Sequence, residues 1–287
     1  MNNDFYIEQF LPISKKTVQI KQISNKTFFD LQKFIISQNN KATCRYLNNI
    51  IQTHVIGIEE DLNIIDKAVC LLKIRSISCG DTLKFVNSLD VTYNITIDSI
   101  LEKINNTSHL YELNEVIANN IFEITIDTPR NFIINQNECL HRIIKSIRIT
   151  GSNECVDFNL LDDVKKDNIL VKLDSSITIK IYNLIALRQK NNICISSKNE
   201  SLNISEIAIN PYNQSMFEFI KLIFKDDLVS CLKNIYVLCS KAHIEAEYIM
   251  SIAPAEGILL LNMYVDEVEE QKKQLTKLNP NLNIPNE

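Results

Sequence analysis

The run "GIEEDLNIIDKAVCLLKIRSISCG", residues 57 to 80, constrains the fold more than any other stretch of the chain. Glu59, Glu60 and Asp61 suit the positive end of a helix dipole, close-set apolar residues follow, and Gly80 supplies a stop. Advancing about 100° per residue from Ile65 puts Ala68, Leu72 and Cys79 on one stripe, with Arg75 at its edge beside Leu71. The arginine therefore points inward or sideways. Asp66 lies about half a turn away in azimuth, so any partner for Arg75 comes from another element or another chain. Two readings are open. In one the stem lies on apolar surface with the guanidinium in water. In the other the arginine is buried and multiply bonded, and fixes the helix against strand ends or a neighbouring subunit.

The rest of the chain alternates between the two periods that mark strands and helices. Val18, Ile20 and Ile23 make a strand-like set at the start, and "NKTFFDLQKFIISQ" then turns helical with Asn25 as its cap. A second helix covers "KATCRYLNNIIQTHV". After Gly80, "DTLKFVN", "VTYNITI", "IFEITIDTPRNFII" and "LHRIIKSIRIT" read as antiparallel strands to about Thr150. "DSSITIKIYNLIALRQK" tilts towards helix, with Asp174 or Ser175 as cap, and "ICISSKNESLNISEIAI" suggests two short strands. From Pro211 the pattern is helical, with Leu228, Leu232, Ile235 and Cys239 on one face of a middle helix and Glu269 four residues before Lys273 on the last. The tail "LNPNLNIPNE" is expected to fray or to dock in extended form. The fold class is α+β. The polar stretch "GSNECVDFNLLDD" divides it into residues 1–150, a mixed helix and antiparallel-strand domain, and residues 151–287, where short strands precede a helical bundle from about 211.

Chemistry is harder to find. Four glycines, Gly57, Gly80, Gly151 and Gly257, stand far apart, which excludes the glycine-rich loops that cradle phosphates. A formal net charge of −5 gives no overall pull towards nucleic acid or an anionic membrane. No uncharged apolar run has the length of a membrane span, and "MNNDFYIEQF" lacks the features of a signal peptide. The eight cysteines sit mostly in apolar runs, as in a reduced compartment, and disulfides are not expected. Cys231, Cys239 and His243 make a conceivable metal set, but buried helical cysteines beside an exposed histidine explain the spacing as well. Cys139 and His141 would share a strand face, with no third group indicated. The adjacent acids Glu59 to Asp61, Asp162 with Asp163 and Asp226 with Asp227 suit helix N-termini better than a glycosidase pair, and the chain has no tryptophan for stacking sugars.

One resemblance goes further. "IIDKAVCLLKIRSISCGDTLKF" is similar to the segment that marks the baseplate hub and hub-assembly proteins of T-even-type contractile-tailed bacteriophages: an aspartate, an apolar helix, an "R-x-x-S-x-G" end and a strand. The matching positions are Asp66, Arg75, Ser78 and Gly80, followed by Leu83 and Phe85. "LPISKKTVQIKQISNKTFFDLQKF" resembles the family's opening and "NNIFEITIDTPRNF" its later strand, so the likeness spans roughly residues 10 to 135. Some members carry cysteine pairs of metal-binding type after the glycine, whereas this chain has only Cys79 before it, and no metal or other cofactor carries over. The resemblance implies a non-enzymatic structural protein of the virion tail baseplate, assembled in the host cytoplasm and oligomeric within the baseplate. Its implied partners are other hub proteins, the tape-measure protein and the central spike. A non-virion assembly factor is the alternative, and a tail-borne cell-wall hydrolase a more distant one.

Overall fold

The computed structural model describes residues 6–58, 61–86, 92–135, 138–152, 154–195 and 207–278. The protein is α+β. It opens with a hairpin, β1 (Tyr6–Leu11) and β2 (Lys16–Lys21), where the alternation suggested one strand; Lys15, at φ 53°, closes the turn. Helices α1 (Asn25–Ile36) and α2 (Asn40–His54) follow, and short β3 (Val55–Ile56) returns to pair with β2. Ser24, one residue earlier than expected, caps α1 by accepting from the Thr27 N–H, while Asn25 is buried and its side-chain amide donates to the Ile249 carbonyl.

Helix α3 (Ile64–Cys79) is the centre of the molecule, packed against α2, β1 and β2 and against elements introduced below. Ile64, Ile65, Val69, Leu71, Leu72 and Ile74 are all fully buried, so the helix has no solvated face. Each such side chain contributes about 1.5–3 kcal/mol by leaving water. A hairpin of β4 (Thr82–Val86) and β5 (Thr92–Thr96) comes next, as expected, but "ITIDSIL" then turns into helix α4 (Ile97–Thr107). Thr96 caps α4 by accepting from the Ser99 N–H, and Ile97, Ile100, Leu101 and Ile104 face α3 and the core.

Strands β6 (Asn114–Ala118) and β7 (Phe122–Asp127), a short helix α5 (Cys139–Ile143), then β8 (Ile144–Ile149) and β9 (Cys155–Asp157) form an antiparallel sheet in the order β6-β7-β8-β9. "LHRIIKSIRIT" is thus helix before it is strand. Ile117, Ile124 and Ile147 make the cross-strand row that faces the core. Beyond the sheet come α6 (Asp163–Leu170), α7 (Ser175–Gln189), the β10 (Ile193–Ile195) and β11 (Ile207–Ile209) hairpin, and α8 (Ser215–Phe224). The last helices are α9 (Leu228–Ser240), α10 (Ala246–Ser251) and α11 (Pro254–Leu278). Asp174 caps α7 as expected; on α9 the buried residue is Leu238, while Leu232 is exposed, because α9 turns a different face to α10 and α11. Glu269 and Lys273 pair at 3.9 Å on α11. The tail beyond Leu278, Glu59 and Glu60 lie outside the described residues.

The polar stretch 151–163 carries β9, which pairs with β8, and one buried apolar set joins residues on both sides of it. Among the described residues no helix is long and apolar enough to cross a membrane.

Candidate functional site

The four resemblance positions sit at the two ends of α3, Asp66 at the beginning and Arg75, Ser78 and Gly80 at the finish. Asn63 caps the helix by accepting from the Ile65 and Asp66 N–H groups, each at 3.0 Å. Asp66, fully buried in the first turn, accepts from four donors: the Ile13 N–H at 3.0 Å, the Ser14 N–H at 2.9 Å, the Ser14 hydroxyl at 2.7 Å and the Asn63 amide at 2.7 Å. A carboxylate buried at the positive end of a helix is in this way fully engaged, and it ties the β1–β2 turn to α3. Lys67 beside it is also buried, and its ammonium reaches the more exposed Asp61 at 2.7 Å.

At the other end Arg75 is half-buried, and its bonds answer why it is there. Nε donates to the Ile223 carbonyl and Nη1 to the Gly80 carbonyl, each at 2.9 Å. Ile223 belongs to the last turn of α8, where carbonyls have no partner within the helix, and Gly80 closes α3 itself. One guanidinium therefore serves the negative ends of two converging helices. Gln32 of α1, fully buried, completes the same junction: its Nε2 donates to the Phe224 carbonyl, and its Oε1 accepts from the Asp226 N–H at 3.2 Å. Ser78 accepts from the Ile23 N–H at 2.9 Å and so fixes the link from β2 to α1.

Gly80 has φ 97° and ψ 157°, a region open almost only to glycine, and its N–H donates to the Ser76 carbonyl at 3.0 Å. An added Cβ would meet no neighbour within 4 Å. Any penalty for Gly80→Ala is accordingly backbone strain alone, expected at about 1 to 3 kcal/mol in denaturant unfolding; a loss smaller than that would mean the chain relaxes freely here.

The other candidates stay apart. Cys139 and His141 fall on α5, where residues two apart do not face each other. Cys139 donates to the Tyr212 carbonyl at 3.4 Å, whereas His141 pairs with Asp167 at 2.8 Å. Burial pushes the Cys139 thiol up to about 12. Cys231 and Cys239 are half-buried on α9, with His243 beyond its end at φ 55°; Cys231 instead lines, with Cys79, a cavity of about 200 Å³ between α1, α9 and α11. Among the described residues no three His, Cys, Asp or Glu side chains gather as a metal set. Asp162 and Asp227 are N-caps of α6 and α9, and hydrogen bonds from Lys165 and Ser230 hold their carboxyls below the usual aspartate range.

Burial also raises the Cys79 thiol to about 12, against the pull of Arg75, and the Cys231 thiol to about 11; it drives Cys70 up as well. Such thiols carry almost no thiolate at neutral pH. In the native protein a maleimide is expected to label the exposed Cys155 and Cys194 first, and to reach Cys70, Cys79 and Cys139 only on unfolding, as read by peptide mapping. Early modification of Cys70 would contradict the packing of α3.

An open cleft beside α3, about 400 Å³, is lined by Asn48, Ile51, Gln52, Val55, Lys67 and Asn131 among others, and its charges are those of the Lys67–Asp61 pair. What sequence reasoning missed at this site is Gln32, Asn63 and Lys67; only Asn63, three residues before Asp66 at a helix start, left a capping signal. Comparison of the chain with family models, with curated proteins and with solved structures finds no match.

Proposed function

We propose that this chain is a structural, non-enzymatic component of the central hub of a contractile bacteriophage tail baseplate, working through contacts with other hub proteins. The observation that carries the proposal is the use made of the four resemblance positions. Asp66, Arg75, Ser78 and Gly80 are all spent on main-chain groups of the β1–β2 turn, the approach to α1, the end of α8 and the end of α3. Residues engaged in this way hold a framework, and they leave the surface to meet partners. That is the part a hub subunit plays.

Mass spectrometry of purified virions tests the proposal. The chain is expected in complete particles at a fixed ratio to the other tail proteins. Its absence from particles, with its presence in infected-cell extracts, would replace the structural role by that of an assembly factor which leaves before maturation. Zymography on peptidoglycan is expected to show no clearing; a cleared zone abolished by one carboxylate substitution would make the chain a hydrolase instead.

A further inference from the structure

Helix α6 is built inside out. Its inward side carries Lys166, only 4% exposed, with the ammonium 5.6 Å over the Phe158 ring, alongside Ile169 and Leu170. Desolvation lowers the pKa of that ammonium from its ordinary value, so the lysine sits there at a cost. The outward side carries valines: Val164 and Val171 stand seven residues apart, on one stripe of the helix, and Leu160 precedes them. Leu160, Val164 and Val171 are 85, 70 and 85% exposed, the highest values among the large apolar side chains described. Surface aliphatics scattered singly need no explanation, but three within twelve residues, over a helix that hides its lysine, do.

The rim of this face is acidic. Glu154, Asp157, Asp162, Asp163 and Asp167 are exposed along this segment, against the exposed Lys165 and Lys172 and the buried Lys166, so residues 154–172 carry five negative and three positive charges. Lys165 is occupied by Asp162 at 3.1 Å, and Asp167 by His141. The segment continues from β9, one of the two edge strands of its sheet, whose Val156 is also exposed.

We infer that the surface made by Leu160, at the end of the short 3-10 turn Phe158–Leu160, by Val164 on α6 and by Val171 at the close of α6 is a docking surface for a protein segment that places aliphatic side chains between lysines or arginines. The acids select such a segment by charge and the aliphatics hold it. A second copy of this chain fits badly, because a symmetric contact would set the acidic rim against itself. Phosphate-bearing surfaces are repelled for the same reason. The inference rests on the surface alone and is independent of the hub proposal.

The test uses the full-length chain with labelled valine and leucine methyl groups, and two synthetic amphipathic peptides, one of leucine and lysine and one of leucine and glutamate at the same spacing. The lysine peptide is expected to shift the Leu160, Val164 and Val171 methyl signals, and to bind less tightly as salt rises. The pair V164D with V171D, on an outward face, is expected to keep the thermal melt and to weaken binding roughly tenfold or more. E154Q with D163N leaves the aliphatics in place and is expected to flatten the salt dependence, which keeps the test decisive if the valine pair misfolds. Equal binding of the glutamate peptide, shifts elsewhere on the surface, or no shift with either peptide would overturn the inference. So would concentration-dependent self-association abolished by V164D with V171D, since that assigns the face to a second copy.

Discussion

Asp66→Ala is expected to lower the unfolding free energy by about 3 to 5 kcal/mol, the largest loss of any single substitution considered for this protein. The carboxylate is fully buried and serves two main-chain N–H groups, from Ile13 and Ser14, besides the Ser14 hydroxyl and the Asn63 amide. Alanine leaves both backbone donors of this half-buried turn without their acceptor, and each orphan shut off from water costs about 1 to 3 kcal/mol. Asp66→Asn keeps one acceptor oxygen and is expected to cost about 1 to 2 kcal/mol. Urea unfolding followed by circular dichroism gives both values, against an exposed control such as Lys273→Ala that should stay within about 0.5 kcal/mol. If Asp66→Ala fell as close to the wild type as the control does, the hairpin turn would not depend on this carboxylate.

Arg75→Ala is expected to cost about 2 to 3 kcal/mol, less than Asp66→Ala because the guanidinium is half-buried and water replaces part of what it gives. Two further variants separate its parts. Arg75→Met retains the stem, so whatever it recovers belongs to packing on apolar surface. Arg75→Lys retains the charge but has no planar fork, and an ammonium at this position is expected to satisfy one of the two carbonyls and not both. Full recovery with lysine would mean that charge at the helix ends matters and the bridge between Ile223 and Gly80 does not.

The elements that could be read from the sequence are those whose signals are local. A close-set apolar run followed by glycine announces α3, although its start is set by Asn63 and Asp66 and not by Asp61, which lies before the helix, and Asp174 before "SSITIKIYNL" announces α7. Helix α4 was hidden because the alternation of "VTYNITI" runs on into its first residues; the spacing of Ile97, Ile100, Leu101 and Ile104 with Thr96 before them held the answer. Cys139 to Ile143 read as strand because the apolar pairs of "LHRIIKSI" fit either period when only five residues are helical. The site divides along the same line. Gly80 was legible, since a stop at that point calls for a positive φ. The partners of Asp66 and Arg75 were not, because main-chain N–H and carbonyl groups exist at every residue and nothing in the letters marks Ile13 or Ile223. Gln32 was invisible for the same reason.

The guanidinium shared between α3 and α8 also sets a timetable for synthesis. Its partner carbonyl at Ile223 lies 148 residues further along the chain, and α8 and α11, both of which pack against α3, are made only after it. During translation the first two hundred or so residues must therefore wait, with an apolar helix partly unroofed and an arginine holding only one of its two carbonyls. A chain built on such long-range closure folds late, and in a crowded cell the interval before residue 224 emerges is when it is most exposed to aggregation and proteolysis.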